Sequence, residues 1–257
     1  MNGIVELERR GQVHDIQVIR RGRIRYLRFG RGGGWQGALD ITRPWRPVFP
    51  YQRAFYALAA AVKAPQRFLA VGVGTGTALR SVRRLWPDCR QVGVELDETV
   101  VDVALEYFDS PPTDETRYYV GDGVHFLETS SEVYDLIFVD AYLRDRIYSP
   151  CLQPSFANLV HDHLSEVGVA AFNMIMSVPP VREAARFLRA LTDSFVEVLV
   201  LPVGFPAMEQ NCLVVAARCA GMRAVWQAEI RRLPLMGWYE RIAWPWRIRT
   251  MGSPSVL

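Results

Sequence analysis

Three acidic residues follow apolar stretches that are typical of buried strands. Glu95 closes QVGVE, Asp122 follows RYYVG, and Asp140 closes LIFVD. The carboxyl ends of parallel strands meet at one edge of a sheet, where open α/β proteins bind ligands. A carboxylate beside an apolar core needs a partner, because an unpaired buried charge is unfavourable. The spacing therefore predicts that Glu95 and Asp140 face a ligand, while Asp122 either joins them or caps the following helix.

The stretch VGVGTGT, residues 71–77, ends one predicted strand and opens a predicted helix. Its glycines permit a sharp turn and close approach of a ligand, and the amides at the helix start face that ligand. Glu95 follows Gly76 by nineteen residues, a spacing typical of a ribose-binding carboxylate. A dinucleotide site would read GxGxxG, but its last position is Thr77 here, which favours an S-adenosyl ligand. The predicted nucleoside-binding residues are Gly72, Gly74, Thr75, Gly76, Glu95, Asp122 and Gly123.

These residues lie in a region that alternates apolar strand-like stretches with amphipathic helical ones from Arg67 onward. The alternation predicts an α/β fold with a doubly wound, mostly parallel sheet that is covered by helices on both faces. FVEVLVL and NCLVVAAR have no helix between them, which predicts an antiparallel hairpin at one sheet edge. The predicted helices are 76–86, 97–108, 122–130, 154–164 and 180–192.

Two smaller parts flank this region. The first 43 residues contain three strand-like pieces separated by turn signals, which predict a small antiparallel β domain. The tail from Gly221 contains four tryptophans and predicts a helix followed by an arm packed on the body. The expected division is an N-terminal β domain at 1–48, a nucleoside-binding α/β domain at 49–220 and a C-terminal part at 221–257.

Composition narrows the class of protein. Half of the 257 residues are apolar and 22% are charged, as in ordinary globular enzymes. No apolar run reaches the roughly 20 residues of a membrane span, and the N-terminus lacks a secretory signal, so a cytoplasmic location is expected. The scattered cysteines predict neither a metal site nor a disulfide framework. The first 53 residues carry eleven arginines and four acids, which we interpret as a solvated strand face rather than a nucleic-acid site.

Six segments resemble spermidine synthase and its aminopropyltransferase relatives, a branch of the class I methyltransferase-like Rossmann fold. The segments agree in order and spacing, and the resemblance extends from about residue 14 to residue 217. They are WQGALDI, PYQRAFYALAA, VGVGTG, GVELD, GDGVHFL and YDLIFVDAY.

The resemblance implies roles for individual residues. Gln36 and Glu95 would hold the ribose, and Asp122 would read the adenine. Asp140 would be the catalytic acid next to the attacking amine, and Tyr51 would line the acceptor pocket. In that family a primary amine attacks the methylene beside the sulfonium of decarboxylated S-adenosylmethionine and releases methylthioadenosine. The resemblance also implies a small-molecule acceptor, no metal and a homodimer.

The chain departs from the family pattern at several positions. Thr75 and Leu143 stand where the family has acids, Arg144 replaces a proline, and Arg53 replaces a glutamate. With Thr75 at that position, S-adenosylmethionine with its carboxylate intact is an alternative ligand. Arg53 and Arg144 favour a neutral or anionic acceptor. The polar segment after Asp140 is either a lid whose residues Tyr142, Arg144 and Asp145 contact the acceptor, or a solvated loop.

Three functions are therefore weighed. The leading one is a spermidine-synthase-like transferase that moves an aminopropyl group to a small amine. The alternatives are a small-molecule methyltransferase that uses S-adenosylmethionine, and a catalytically silent scaffold that binds a nucleoside.

Overall fold

The computed structural model describes residues 3–143, 146–177, 180–204 and 209–252. In these residues the strands form a central eight-stranded sheet, an N-terminal four-stranded sheet and a two-stranded ribbon. The predicted α/β class is confirmed, with a mostly parallel central sheet and a smaller antiparallel sheet ahead of it.

The N-terminal sheet is a simple antiparallel meander. Its strands pair in chain order: β1 (Ile4–Arg10), β2 (Asp15–Arg21), β3 (Ile24–Phe29) and β4 (Trp35–Asp40). The sequence predicted the last three and missed β1, an edge strand that is largely exposed. Apolar residues of β2 and β3 pack against helix α3 (Glu98–Tyr107) through Val100, Val103 and Phe108. This sheet is therefore fastened to the α/β body.

The central sheet has the order β14-β12-β13-β11-β8-β5-β6-β7 among the described residues. Its parallel part contains β5 (Arg67–Val71), β6 (Arg90–Glu95), β7 (Thr116–Val120), β8 (Tyr134–Val139) and β11 (Leu164–Met176). Its β12–β13 hairpin, β12 (Glu197–Pro202) and β13 (Gln210–Ala217), is antiparallel as predicted, and the short strand β14 (Arg249–Thr250) extends that edge. The ribbon joins β9 (Tyr142–Leu143) to β10 (Arg146–Ile147).

The direction of β13 matters for the site. It runs antiparallel to β11 on one side and to β12 on the other. The carboxyl end of β12 and the amino end of β13 therefore reach the sheet edge at which β5, β6 and β8 end. Ligand-binding crevices of open α/β sheets lie at this edge.

All five predicted helices form, with ends that shift by one or two residues. The N-cap of α3, Asp97, accepts a hydrogen bond from the Thr99 amide at 3.0 Å, which satisfies a free helix amide. No helix in the described parts of the chain is long and apolar enough to cross a membrane. The helices are α1 (Pro50–Ala61), α2 (Thr77–Leu85), α3, α4 (Gly123–Thr129), α5 (Pro154–Asp162), α6 (Arg182–Ser194), α7 (Met222–Arg232) and α8 (Trp238–Arg247).

The C-terminal part contains two helices where the sequence predicted one. Residues 233–237 separate α7 from α8, and Pro234 among them has no amide hydrogen with which to extend α7. Trp226 and Trp244 are fully buried in the main core, and the Trp226 indole donates to the Ala54 carbonyl of α1 at 3.1 Å. The C-terminal helices thus support α1.

Candidate active site

A cavity of about 570 Å³ lies at the carboxyl edge of the central sheet. Its size is within the range of small-molecule sites. It is bounded by β4, the start of α1, the turn after β5, the ends of β6 and β8, and the β12–β13 hairpin. The predicted site residues in its wall are Gln36, Tyr51, Gly72, Gly74, Thr75, Glu95, Asp122, Gly123, Asp140 and Tyr142.

The glycine turn after β5 lets two strand ends meet. Gly72 has a φ of +90°, and a Cβ there would lie 2.4 Å from the Asp140 carbonyl oxygen. Only glycine tolerates both conditions. Gly76 precedes α2 with a φ of +65°, but it faces Ser110 and lies outside the cavity wall. Its contribution in the structure is the turn itself.

The N-terminal sheet closes over this turn through β4. A Cβ on Gly37 would lie 2.4 Å from Cγ2 of Thr75, so the two backbones approach closely. Thr75 is buried, and its hydroxyl lies 2.9 Å from that of Thr77. This contact brings the neighbouring residue Gln36 to the cavity.

The β1–β2 turn also contributes to the wall, which the sequence analysis missed together with β1. Asp97 accepts a hydrogen bond from the Val13 amide at 2.9 Å, in addition to capping α3. Val13 and His14 thereby line the cavity. One buried carboxylate thus joins the turn to the α/β body.

Glu95 accepts hydrogen bonds from four backbone amides, two of the glycine turn and two of the residues that follow Glu95. Oε2 accepts from Val73 at 3.0 Å and Gly74 at 3.2 Å, and Oε1 accepts from Leu96 at 2.9 Å and Asp97 at 3.4 Å. Burial raises the pKa of Glu95, and these amides oppose the rise. Glu95 therefore shapes the turn as well as the cavity wall. Its predicted contact with a ribose stays a prediction.

Asp122 caps α4, which was one of its two predicted roles. Oδ1 accepts from the amides of Val124 at 2.7 Å and His125 at 3.1 Å. Oδ2 accepts from the hydroxyl of Tyr148, a second cavity residue that sequence analysis did not identify. Burial opposes ionisation, but these donors lower the pKa of Asp122. An ionised acceptor therefore lies in the wall, and its predicted reading of adenine stays a prediction.

Asp140 is a partly buried carboxylate with one donor on each oxygen. The Tyr51 hydroxyl donates to Oδ2 at 2.9 Å, and Asn173 Nδ2 donates to Oδ1 at 2.7 Å. Burial raises the pKa of Asp140 to about 6, although both donors oppose the rise. A group with this pKa exchanges protons readily near neutral pH, as a general base must.

A second asparagine orients the first. A carboxylate only accepts hydrogen bonds, so Asn173 must turn its NH₂ group toward Asp140. Its Oδ1 then accepts from Nδ2 of Asn211, on β13, at 2.9 Å. Tyr142 donates to the Asn173 carbonyl at 3.1 Å, which fixes another wall residue. The single asparagine in the apolar run GVAAFNMIM was the sequence signal for this network.

Comparison with known proteins identifies the family to which the chain belongs. The family described as the spermine/spermidine synthase domain matches residues 48–178, slightly more than half of the chain. The chain belongs to this family.

Two relatives and one solved structure illustrate the spermidine synthase likeness. A probable polyamine aminopropyl transferase of Bifidobacterium longum is 37% identical over 126 residues, which cover 49% of this chain and 28% of the relative. A polyamine aminopropyltransferase of Vibrio vulnificus is 29% identical over 131 residues, which cover 50% of this chain and 44% of the relative. The chain therefore matches less than half the length of either relative.

A crystal structure of a probable spermidine synthase from Corynebacterium glutamicum aligns with a TM-score of 0.77 at 17% identity. The alignment covers 96% of this chain and 90% of that one. The class I methyltransferase-like fold predicted from the sequence is thereby confirmed.

The cavity of this family member is acidic. Glu95, Asp97, Asp122, Asp140 and Glu209 line it, and no arginine or lysine does so among the described residues. A cavity lined by one sign of charge favours ligands of the opposite sign. In the same described residues, no group of three or more His, Cys, Asp and Glu side chains is arranged to hold a metal ion.

The expectation that Arg53 adds positive charge at the acceptor entrance is wrong. Arg53 turns away from the cavity and pairs with Glu240 of α8 at 2.6 Å, and it also donates to the Pro47 carbonyl. Its partner is 187 residues away in sequence and could not be inferred from the local motif. Two of the acceptor candidates that the sequence predicted in the segment after Asp140, Arg144 and Asp145, lie outside the described residues.

Proposed function

We propose that this protein transfers an aminopropyl group from decarboxylated S-adenosylmethionine to a small amine. The observation that carries the proposal is Asp140, a partly buried carboxylate with a pKa of about 6 in the wall of an acidic cavity. An amine acceptor and a sulfonium donor are both cations, and the acidic wall suits both. The aminopropyl transferase names of the relatives point to the same reaction.

The two halves of the cavity have separate tasks in this proposal. The nucleoside half contains Gln36 and Glu95 for the ribose and Asp122 for the adenine. The acceptor half contains Tyr51 and Asp140, with Tyr142 beside them. The reactive methylene of the donor is bonded to its sulfonium sulfur. In this proposal that methylene lies where the two halves of the cavity meet.

The reaction needs an unprotonated amine. Its nitrogen attacks the methylene carbon beside the sulfonium, a C–N bond forms, and the C–S electron pair returns to sulfur as methylthioadenosine leaves. The nitrogen is then positively charged and loses a proton to Asp140. Tyr51 and Asn173 hold the carboxylate still and leave its remaining lone pairs for this proton.

A second candidate is methyl transfer from S-adenosylmethionine. Arg80 donates to the Thr75 carbonyl at 3.0 Å and to the Thr77 hydroxyl at 3.1 Å, so a guanidinium lies behind the glycine turn. Thr75 itself is neutral. A neutral Thr75 with the Arg80 guanidinium behind it would tolerate the carboxylate of S-adenosylmethionine, which the decarboxylated donor lacks.

Product analysis separates the candidates. The protein is incubated with 1,4-diaminobutane and either donor, and the nucleoside products are resolved by chromatography. We expect methylthioadenosine from the decarboxylated donor. Release of S-adenosylhomocysteine from S-adenosylmethionine would instead support methyl transfer, and nucleoside binding without either product would support the scaffold.

The ribose assignment of Glu95 gives a binding prediction. We expect E95A to weaken the binding of methylthioadenosine by about 1–3 kcal/mol, the range for losing a charged hydrogen-bond partner. Calorimetry measures the affinity, and E98A is the matched control because Glu98 is exposed and outside the cavity. A thermal melt reports the separate effect on the glycine turn. Unchanged affinity in E95A would contradict the assignment.

Cytoplasmic location and homodimer formation stay predictions. Light scattering after size exclusion would measure the mass in solution directly, for comparison with the 29.2 kDa chain.

A further inference from the structure

Four large apolar side chains lie exposed on one face of α8. Trp238, Ile242 and Trp246 follow one another at intervals of four residues, a spacing that places them on the same side of a helix. The Tyr239 ring contacts that of Trp238, with the ring centroids 6.1 Å apart. The first three side chains are 77%, 63% and 83% exposed, and Tyr239 is 50% exposed. These four residues, the apolar face of α8, lie outside the cavity, so the proposed function gives them no role.

The opposite side of α8 is fixed to the body of the protein. Trp244 is buried in the main core, and Glu240 pairs with Arg53 of α1 at 2.6 Å. Arg247 donates to the Gly204 carbonyl at 2.8 Å. Because these contacts hold the helix, its apolar face is presented to solvent without any rearrangement. Contiguous exposed apolar side chains of this size mark contact surfaces in folded proteins.

The part of the chain that contains this face is basic. Residues 221–257 contain six arginines and two glutamates. Both glutamates are already in ion pairs with arginines, each at 2.6 Å. Arg231 precedes α8 in the chain and Arg249 follows it, and both side chains are exposed. Cations therefore flank the apolar face at both ends, which favours an anionic partner.

Size and charge argue against a second copy of this chain as that partner. At the areas usual for such side chains, the four together expose roughly 500 Å². A stable dimer buries about 800 Å² on each subunit. A symmetric contact through this face would also bring the flanking arginines of the two copies together, since the same patch is used on both.

The chemistry of the face matches a lipid surface instead. Tryptophan and tyrosine are enriched where a bilayer meets water, because their rings are apolar with one polar group. Arginines beside such an apolar face attract anionic headgroups. We propose that the apolar face of α8 docks on the surface of an anionic lipid bilayer. Trp238 and Trp246 lie at headgroup level, and Arg231 and Arg249 contact lipid phosphates. This docking is independent of the reaction at the cavity.

The test is sedimentation of the full chain with vesicles of phosphatidylglycerol and phosphatidylcholine in equal amounts. We expect the wild type to bind these vesicles about 10-fold more tightly than vesicles of phosphatidylcholine alone. W238A/W246A should lower binding about 10-fold, because two indoles lose their apolar contact. R231Q/R249Q should lower binding about 10-fold for the anionic vesicles only. W45A is the matched control, because Trp45 is also an exposed tryptophan but lies outside α8.

Several results would overturn the proposal. They are a wild type that does not sediment with the anionic vesicles, equal binding to the two kinds of vesicle, and a W238A/W246A variant that binds like W45A. Light scattering after size exclusion tests the dimer: a mass above 29.2 kDa that falls to this value in W238A/W246A would assign the face to a second copy. Thermal melts should be the same for all variants, because the replaced side chains are exposed. If W238A/W246A melts early, R231Q/R249Q alone decides, and unchanged anionic binding in that variant overturns the proposal.

Discussion

Replacement of Asp140 by asparagine is expected to lower kcat for amine transfer by about 10²- to 10⁴-fold, the usual contribution of a positioned general base. The amide has nearly the same shape, but it cannot take a proton from the attacking nitrogen. It also faces Asn173, which already presents its own NH₂ group. Steady-state assays of methylthioadenosine release measure the change.

The affinity of D140N for methylthioadenosine is the control, and it should match that of the wild type because the proposed function assigns Asp140 to the acceptor half. A variant with wild-type kcat would exclude Asp140 as the base. A variant that no longer binds the nucleoside would show that Asp140 maintains the cavity instead.

The pH profile gives the same hypothesis a second readout. Burial raises the pKa of Asp140 to about 6, so the base is increasingly protonated and kcat/KM should fall as pH decreases through that value. The Asn173 hydrogen bond lowers this pKa, so N173L should move the acidic limb to higher pH. An acidic limb that does not move in N173L would contradict the role of Asn173 as a positioning residue.

Removal of Glu240 is expected to destabilise the fold by about 3–5 kcal/mol, the range for breaking a buried ion pair from one side. The side chains of Arg53 and Glu240 are 13% and 10% exposed. E240A leaves the Arg53 guanidinium without its counterion, and it also removes the acceptor of the Gly237 amide at the start of α8. Urea denaturation followed by circular dichroism measures the free energy of unfolding.

Two variants control for this result. E229A breaks the pair of Glu229 with Arg232, whose side chain is 71% exposed, so its effect should be far smaller. The double variant R53M/E240L replaces both charges with apolar groups and should recover much of the lost stability. Equal unfolding free energies for E240A and E229A would show that the buried pair has no special importance.

The central architecture is predictable from sequence because its signals are local. Apolar strands alternate with amphipathic helices, and the glycines of VGVGTG mark a turn that only residues without a side chain can make. Parallel strands end at a common edge, so the acids that follow them converge without knowledge of strand order. Glu95, Asp122 and Asp140 were found on this basis.

The remaining interactions depend on which strands become neighbours. The Asn173–Asn211 contact requires β13 to insert beside β11, and nothing near either asparagine specifies this. Arg53 was expected at the acceptor entrance because it is close in sequence to Tyr51, which does line the cavity. Its partner, Glu240, is contributed by α8, which lies far from Arg53 in sequence.

A sequence motif also does not show when one residue has two functions, as Glu95 does. Glu95 was expected to face a ligand, and it lies in the cavity wall, but four backbone amides already donate to it. The Val73 and Gly74 amides reach Glu95 only when the glycine turn has its final shape. A carboxylate can therefore organise a site before any ligand arrives.

The insertion of β13 between β11 and β12 places opposite walls of the cavity on distant stretches of the chain. In the proposed function the sugar and base contacts belong to residues up to Asp122, whereas the far wall is made by the β12–β13 hairpin around Glu209. Substitutions within that one hairpin would then change the choice of acceptor and leave the nucleoside contacts intact. Descendants of such a scaffold would share a donor and differ in the amine that they modify.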